Sequence, residues 1–112
     1  MRVFASSSPF GGNTRTRALL ALRLLNESYA RELARLLESS LSGIQKALHS
    51  LERDGLVAAR AAGRTRLYRL NPRAAARKEL AAYLDGLLET ETDLRTRTAQ
   101  LRRRPRQSGK PL

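Results

Sequence analysis

The stretch Leu41-Ser-Gly-Ile-Gln-Lys-Ala-Leu-His-Ser-Leu-Glu-Arg-Asp-Gly-Leu-Val-Ala-Ala-Arg-Ala-Ala-Gly-Arg-Thr-Arg-Leu-Tyr-Arg-Leu70 decides the fold, because the hydrophobic period changes inside it. Ile44, Leu48 and Leu51 stand at i, i+4 and i+7, the spacing of one helical face, and predict a helix from about Leu41 to Asp54. Gly55 follows where a left-handed C-terminal cap belongs. From Leu56 the pattern reads as strand, turn, strand: Leu56–Arg60, Ala61–Arg64 and Thr65–Leu70. Gly63 supplies the positive φ that a tight hairpin needs. On the second strand Arg66, Tyr68 and Leu70 share a face, while Thr65, Leu67 and Arg69 take the other. A two-stranded hairpin is marginal alone, so it must lean on the helices.

Upstream, Thr14 can cap a helix carrying Ala18, Leu19, Leu22 and Leu25, and Ser28 can cap a second with Ala30, Leu33, Ala34 and Leu37 on one face. Ser39-Ser40 breaks that pattern before the third helix. Downstream, Asn71-Pro72 reads as an N-cap and first-turn proline, opening a last helix that runs to about Leu101. At 1.5 Å per residue, ~30 residues span roughly 45 Å, longer than so small a domain can cover. Helix, helix, helix, hairpin, helix is the winged helix-turn-helix arrangement. The expected fold class is mainly α with a small β-hairpin wing and a long C-terminal dimerisation helix. The chain then divides into an irregular arm (1–12), a winged helix-turn-helix domain (13–71), the long helix (72–101) and a disordered basic tail (102–112).

Composition narrows the function. At 112 residues and 41% hydrophobic the chain is one domain, short for an enzyme with a deep cleft. Twenty-two Lys and Arg against ten Asp and Glu give a net charge of +12, which points to a polyanionic partner, nucleic acid before an anionic membrane. Seven of the basic residues, and no acid, lie within 95–112. No cysteine means no disulfide framework, no thiolate nucleophile and no finger-type zinc site, and a single histidine leaves little for metal binding or acid–base chemistry. No nucleophile–base pair and no phosphate-cradling glycine loop is visible, so neither catalytic residues nor a metal or other cofactor is expected. With no export signal and no apolar run near ~20 residues, a cytoplasmic protein without a membrane role is expected.

Several phrases together resemble the ArsR-type winged-helix regulators: Arg31-Glu-Leu-Ala-Arg35, Ile44-Gln-Lys-Ala-Leu48, Leu51-Glu-Arg-Asp-Gly-Leu-Val57 and Tyr68-Arg-Leu-Asn-Pro72. Phe10-Gly-Gly-Asn-Thr-Arg-Thr-Arg-Ala-Leu-Leu20 is similar to the start of a subgroup found with nucleotidyltransferase-like proteins. The resemblance covers roughly residues 10–85 and rests on the order and spacing of the phrases. It implies a homodimeric, sequence-specific transcriptional regulator that binds double-stranded DNA. Two departures stand out. Glu38-Ser39-Ser40 replaces the family's usual Gly-Leu-Ser, and the Cys and His ligands of metal-sensing members are missing.

On the family pattern the third helix enters the major groove, exposing Ser40, Ser42, Gly43, Gln45, Lys46 and His49. Gln45 can pair bidentately with adenine, and Lys46 can reach guanine or a phosphate. Ser40 or Ser42 can bond a phosphate at the helix start, where the dipole also favours an anion. Outside that fold the same side chains would be caps and solvated groups. Arg60, Arg64 and Arg66 bracket the hairpin turn and suit a wing on the backbone or minor groove, or else guard a sheet edge. Arg15 and Arg17 oppose the dipole of the first helix, which makes them candidate phosphate contacts or plain surface. Leu80, Leu87, Leu94 and Leu101 recur every seven residues, with Tyr83 and Leu84 alongside, and predict a dimer seam. Packing of the first part of that seam on the protomer's own core is the competing reading. Two other functions stay open: an interaction module that partners a nucleotidyltransferase-like protein, and a nucleoid-type binder acting by charge alone.

Overall fold

Leucines at helical spacing do build the first helix, α1 (Asn13–Leu25), in the computed structural model, which describes residues 13–74 and 77–103. The arm expected over 1–12 and most of the tail expected over 102–112 lie outside the described residues. After α1 the chain forms β1 (Ser28–Tyr29), α2 (Ala30–Leu37), α3 (Leu41–Arg53), β2 (Val57–Ala62), β3 (Thr65–Leu70), α4 (Arg77–Leu88) and α5 (Thr92–Arg103).

The core is built around α1. Ala18, Leu19, Leu20, Ala21, Leu22 and Leu25 are all buried, so this helix is covered on nearly every side. It contacts α2, α3, α4 and α5 as well as β3. Leu33 and Leu37 of α2, Ile44, Leu48 and Leu51 of α3, and Leu80, Leu84 and Leu94 from the C-terminal helices complete one continuous cluster. Burying a leucine stabilises by roughly 1.5–3 kcal/mol, so this apolar cluster supplies most of the driving force.

The hairpin is part of a three-stranded sheet, in the order β1-β3-β2. Val57 pairs with Leu70 and Ala62 with Thr65 on one side of β3, while Ser28 and Tyr29 pair with Tyr68 and Leu67 on the other. The expected turn glycines adopt positive φ, 82° at Gly55 and 64° at Gly63. The two-residue strand β1 corrects the cap expected at Ser28. Its backbone is committed to the sheet, so the N-cap moves one residue on to Tyr29 and α2 starts at Ala30, and the Ser28 hydroxyl donates to Glu32 Oε1 at 2.5 Å instead.

The single helix expected over 72–101 is two helices. Asn71 does not open a helix: its Nδ2 donates to the Gly55 carbonyl at 2.9 Å, its Oδ1 accepts from Arg73 N at 3.0 Å, and α4 begins only at Arg77. At the other end Gly86 is a weak helix former. Glu89, Thr90 and Glu91 donate their N–H groups to carbonyls three residues back, at 3.3, 3.1 and 3.0 Å, which tightens and ends α4. The Thr90 hydroxyl also takes the Leu87 carbonyl at 2.9 Å. Past this break α5 folds back, so Leu94 is fully buried and Leu101 packs on the same core. The seven-residue recurrence is thus consumed largely inside the protomer: Leu80, Leu84 and Leu94 are buried, Leu87 is half-buried and Tyr83 is 42% exposed. Nor does the chain become irregular at residue 102. Arg102 lies within α5 and pairs with the buried carboxylate of Glu32 at 3.1 Å.

Glu91 is buried at the α4–α5 junction, where its carbonyl starts α5 by accepting from Arg95 N at 3.1 Å. Burial, and secondarily the Asp93 carboxylate, raise its pKa above the ordinary carboxylate value. A folded pKa above the unfolded one means that the ionised form costs stability. That cost is full at neutral pH and fades as pH falls through the folded pKa. Glu91→Gln is therefore expected to raise the urea midpoint at pH 7, with the gain vanishing below about pH 4, near the unfolded carboxylate range. Leu20→Ala, in the centre of α1, is expected to cost about 2–5 kcal/mol in the same denaturation experiment.

Candidate nucleic-acid interface

Helix α3 divides cleanly by face. Ile44, Ala47, Leu48 and Leu51 point into the core, whereas Ser42, Gln45, Lys46 and His49 are exposed and recur at three- and four-residue steps along the opposite side. Its start is set by two features of the preceding turn. Glu38 takes a left-handed conformation (φ 54°) that ends α2, with Ser39 N donating to the Ala34 carbonyl at 3.0 Å. Ser40 is then the N-cap of α3, its Oγ accepting from Gly43 N at 3.1 Å. Glu38 thus occupies the conformation that glycine favours, and Ser40 the cap position. A Cβ at Gly43 would stand 2.9 Å from Ser40 Oγ, so a bare glycine there leaves room for the cap. The first turn of α3 contains no acid, which leaves the positive end of its dipole uncompensated from within the helix.

The acids at the other end of α3 are matched by arginines from elsewhere. Asp54 pairs with Arg15 at 2.8 Å, and Glu52 pairs with Arg66 of β3 at 2.8 Å. The outward surface of α3 and the hairpin therefore presents Lys46, His49, Arg53 and Arg64 as exposed basic or imidazole groups. Arg64 sits in the turn beside Gly63, at the tip of the hairpin.

The predicted arginines fall into different environments. Arg15 donates to Ser50 Oγ as well as to Asp54, tying α1 to α3 with only 18% of its side chain exposed. Arg17 is half-buried. Its Nη2 donates to the Leu37 carbonyl, its Nε is buried with no hydrogen-bond partner among the described residues, and burial lowers its pKa despite the nearby Glu38 carboxylate. Both serve the contacts between helices. Arg60 forms a two-pronged pair with Glu27, at 2.9 and 3.0 Å, whose hydrogen bonds hold the Glu27 carboxyl below its ordinary pKa. Arg66 lies 5.8 Å from the centre of the Tyr68 ring while reaching Glu52. The structure thus brings Ser40, Ser42, Gly43, Gln45, Lys46 and His49 onto one element, places Arg60, Arg64 and Arg66 on or at the tip of the hairpin, and leaves Arg15 and Arg17 in helix packing.

Sequence reading missed Glu27 and Glu52, because each finds its arginine across 33 and 14 residues of chain, beyond any local spacing rule. It also missed Arg53 and Arg69, both exposed, which only the folded arrangement sets beside the predicted set. Among the described residues no group of three or more His, Cys, Asp and Glu could hold a metal, and no helix is long and apolar enough to cross a membrane.

No protein-family model matches the sequence, and no curated protein matches it. Solved structures are similar. The adhesin competence repressor AdcR from Streptococcus pyogenes aligns with a TM-score of 0.61 at 22% identity, over 80% of this chain and 66% of its own. A cysteine-to-serine mutant of ZitR from Lactococcus lactis, solved in complex with DNA, aligns with a TM-score of 0.61 at 22% identity, over 80% of this chain and 61% of its own. Reduced HlyU from Vibrio cholerae reaches 33% identity, with a TM-score of 0.50, over 64% of this chain and 72% of its own. The chain spans just under two thirds of the AdcR and ZitR chains. The shared architecture is the winged helix, with α2 and α3 as the helix-turn-helix and β2–β3 as the wing.

Replacing Arg15 and Arg64 separates packing from surface. Arg15→Gln is expected to cost about 1 kcal/mol in chemical denaturation, since the bonds of a largely covered guanidinium to Ser50 and to the half-exposed Asp54 are lost. Arg64→Gln is expected to stay within about 0.5 kcal/mol of the parent.

Proposed function

We propose that this chain, a winged-helix regulator by fold, is a homodimeric, sequence-specific DNA-binding transcriptional regulator of ArsR-like type acting in the cytoplasm. The observation that carries this reading is the outer face of α3. It offers Ser42, Gln45, Lys46 and His49 on one side of a rigidly packed helix whose start is capped by Ser40 and free of acids. An α-helix fits the major groove, and there Gln45 can bond adenine N6 and N7 while Lys46 reaches guanine or a phosphate. The start of α3 meets a phosphate through the Ser40 and Ser42 hydroxyls, with the Gly43 N–H held on the Ser40 cap. The wing then lies along the backbone with Arg64 foremost and Arg60 and Arg66 behind it. Support comes also from ZitR, a structural neighbour whose complex with DNA has been solved.

The dimer pairs through the outward side of α4 rather than through the buried leucines. Of the residues expected in the dimer seam, Tyr83 and Leu87 are the two on α4 that keep accessible surface, and they support that placement. A two-fold axis relating two α3 helices reads a near-palindromic site, with half-sites about 10 base pairs apart or a multiple of that. Arg15 and Arg17 contribute to DNA binding only through the stability of the helices they join.

Selection of bound fragments from sheared genomic DNA at near-physiological salt tests this. Enrichment of one inverted-repeat motif is expected. Gln45→Ala should weaken binding to that motif by about 1–3 kcal/mol and relax its specificity, while Lys46→Ala should also flatten the salt dependence if it meets a phosphate. Uniform recovery that disappears as salt rises would replace this reading with binding by charge alone.

A further inference from the structure

We propose that Glu27 and Glu52 act as internal stand-ins for DNA phosphates, holding Arg60 and Arg66 of the wing in the free protein and yielding them to the DNA backbone on binding. This deepens the reading of the wing as a DNA-contacting element and rests on it.

The two carboxylates belong to the body of the domain, and the two arginines to the wing. Glu27 lies in the turn between α1 and β1, and Glu52 in the last turn of α3. Arg60 is on β2 and Arg66 on β3. Arg60 pairs across the ladder with Leu67, and Arg66 with Ala61, so the two arginines leave the hairpin from opposite faces. Each face of the wing is therefore bridged to the body by one ion pair.

Arg60 meets Glu27 with two donors on two oxygens, at 2.9 and 3.0 Å. This is the fork geometry with which a guanidinium also binds a phosphate. Arg66 approaches Glu52 at 2.8 Å with its guanidinium near the Tyr68 ring, which keeps that group on a defined path above a buried aromatic. Both arginine side chains are more than half exposed, 59% and 53%, so neither pair is sealed from solvent or from a ligand. Exposed pairs of this kind contribute little, and exchanging a carboxylate for a phosphate replaces one charge-assisted contact with another. In the free protein the exchange partner is the protein itself, which lowers the positive charge that the wing offers to any passing polyanion. Arg64, at the tip, is outside both pairs and is the first wing charge available to DNA.

A thermodynamic cycle separates release of a held arginine from simple removal of a negative charge near DNA. Fluorescence anisotropy of the full chain with a labelled duplex of about 20 base pairs, two helical turns, over a salt series provides the readout. The set is wild type, Glu52→Gln, Arg66→Gln and the double variant, with Glu27→Gln and Arg60→Gln as an independent second cycle. Glu52→Gln and Glu27→Gln are each expected to bind about three- to tenfold tighter at low salt. The gain is expected to disappear when the partner arginine is already replaced. A gain that persists unchanged in the Arg66→Gln and Arg60→Gln backgrounds overturns the proposal, because the carboxylates would then only repel DNA. Weaker binding by the glutamine variants overturns it too, because the pairs would then brace the wing for contact. Wild type that binds with the usual salt dependence while both cycles show no coupling sinks this proposal alone. Wild type that binds no duplex at any salt sinks the DNA reading as well.

Discussion

Enclosure of α1 is the constraint on which the rest of the molecule depends. A helix buried on nearly all sides needs partners on all sides, and α1 finds them in the other four helices and the central strand β3. Each partner then has one face turned inward, and what remains outward is fixed by that choice. For α3 the inward face is Ile44, Ala47, Leu48 and Leu51, and the polar row that faces solvent follows from helical geometry. The same demand for cover explains the C-terminal half of the chain. α4 supplies Leu80 and Leu84, and α5 must return to supply Leu94.

Much of this was legible because it is local. The change of period after Asp54, the turn glycines at Gly55 and Gly63, and the apolar rows of α1, α2 and α3 are patterns within a dozen residues. The winged-helix order followed from them. The long C-terminal helix was misread for a related reason. A leucine every seven residues describes a stripe, but it does not say whether a second chain or the same chain covers it. Three tightened hydrogen bonds at Glu89–Glu91 turn the stripe back on its own core. The two-residue strand β1 has no pattern at all. It exists because β3 has an open edge that Ser28 and Tyr29 can fill.

The candidate site was legible in its helix and less so in its arginines. Spacing marks Ile44, Leu48 and Leu51 as the buried row of α3, and the family resemblance singles out Gln45, Lys46 and His49, which the structure leaves exposed. Charge carries no such period, so a list of arginines mixes several jobs. Arg15 and Arg17 join helices, Arg23 holds α4 through Asp85 at 2.8 and 2.9 Å, and Arg97 reaches Glu38 at 2.6 Å to fasten α5 to the end of α2. The count of 22 Lys and Arg therefore overstates the cations offered to a polyanion, since these arginines neutralise acids or cap carbonyls inside the fold.

The return of α5 also decides where its own C-terminal turn is fastened. Arg102 donates to the Glu27 carbonyl at 2.7 Å, and the carboxylate of that same residue holds Arg60 of the wing. One residue of the α1–β1 turn thus ties the end of α5 to the wing, a junction that an unbroken helix would have carried away from the domain.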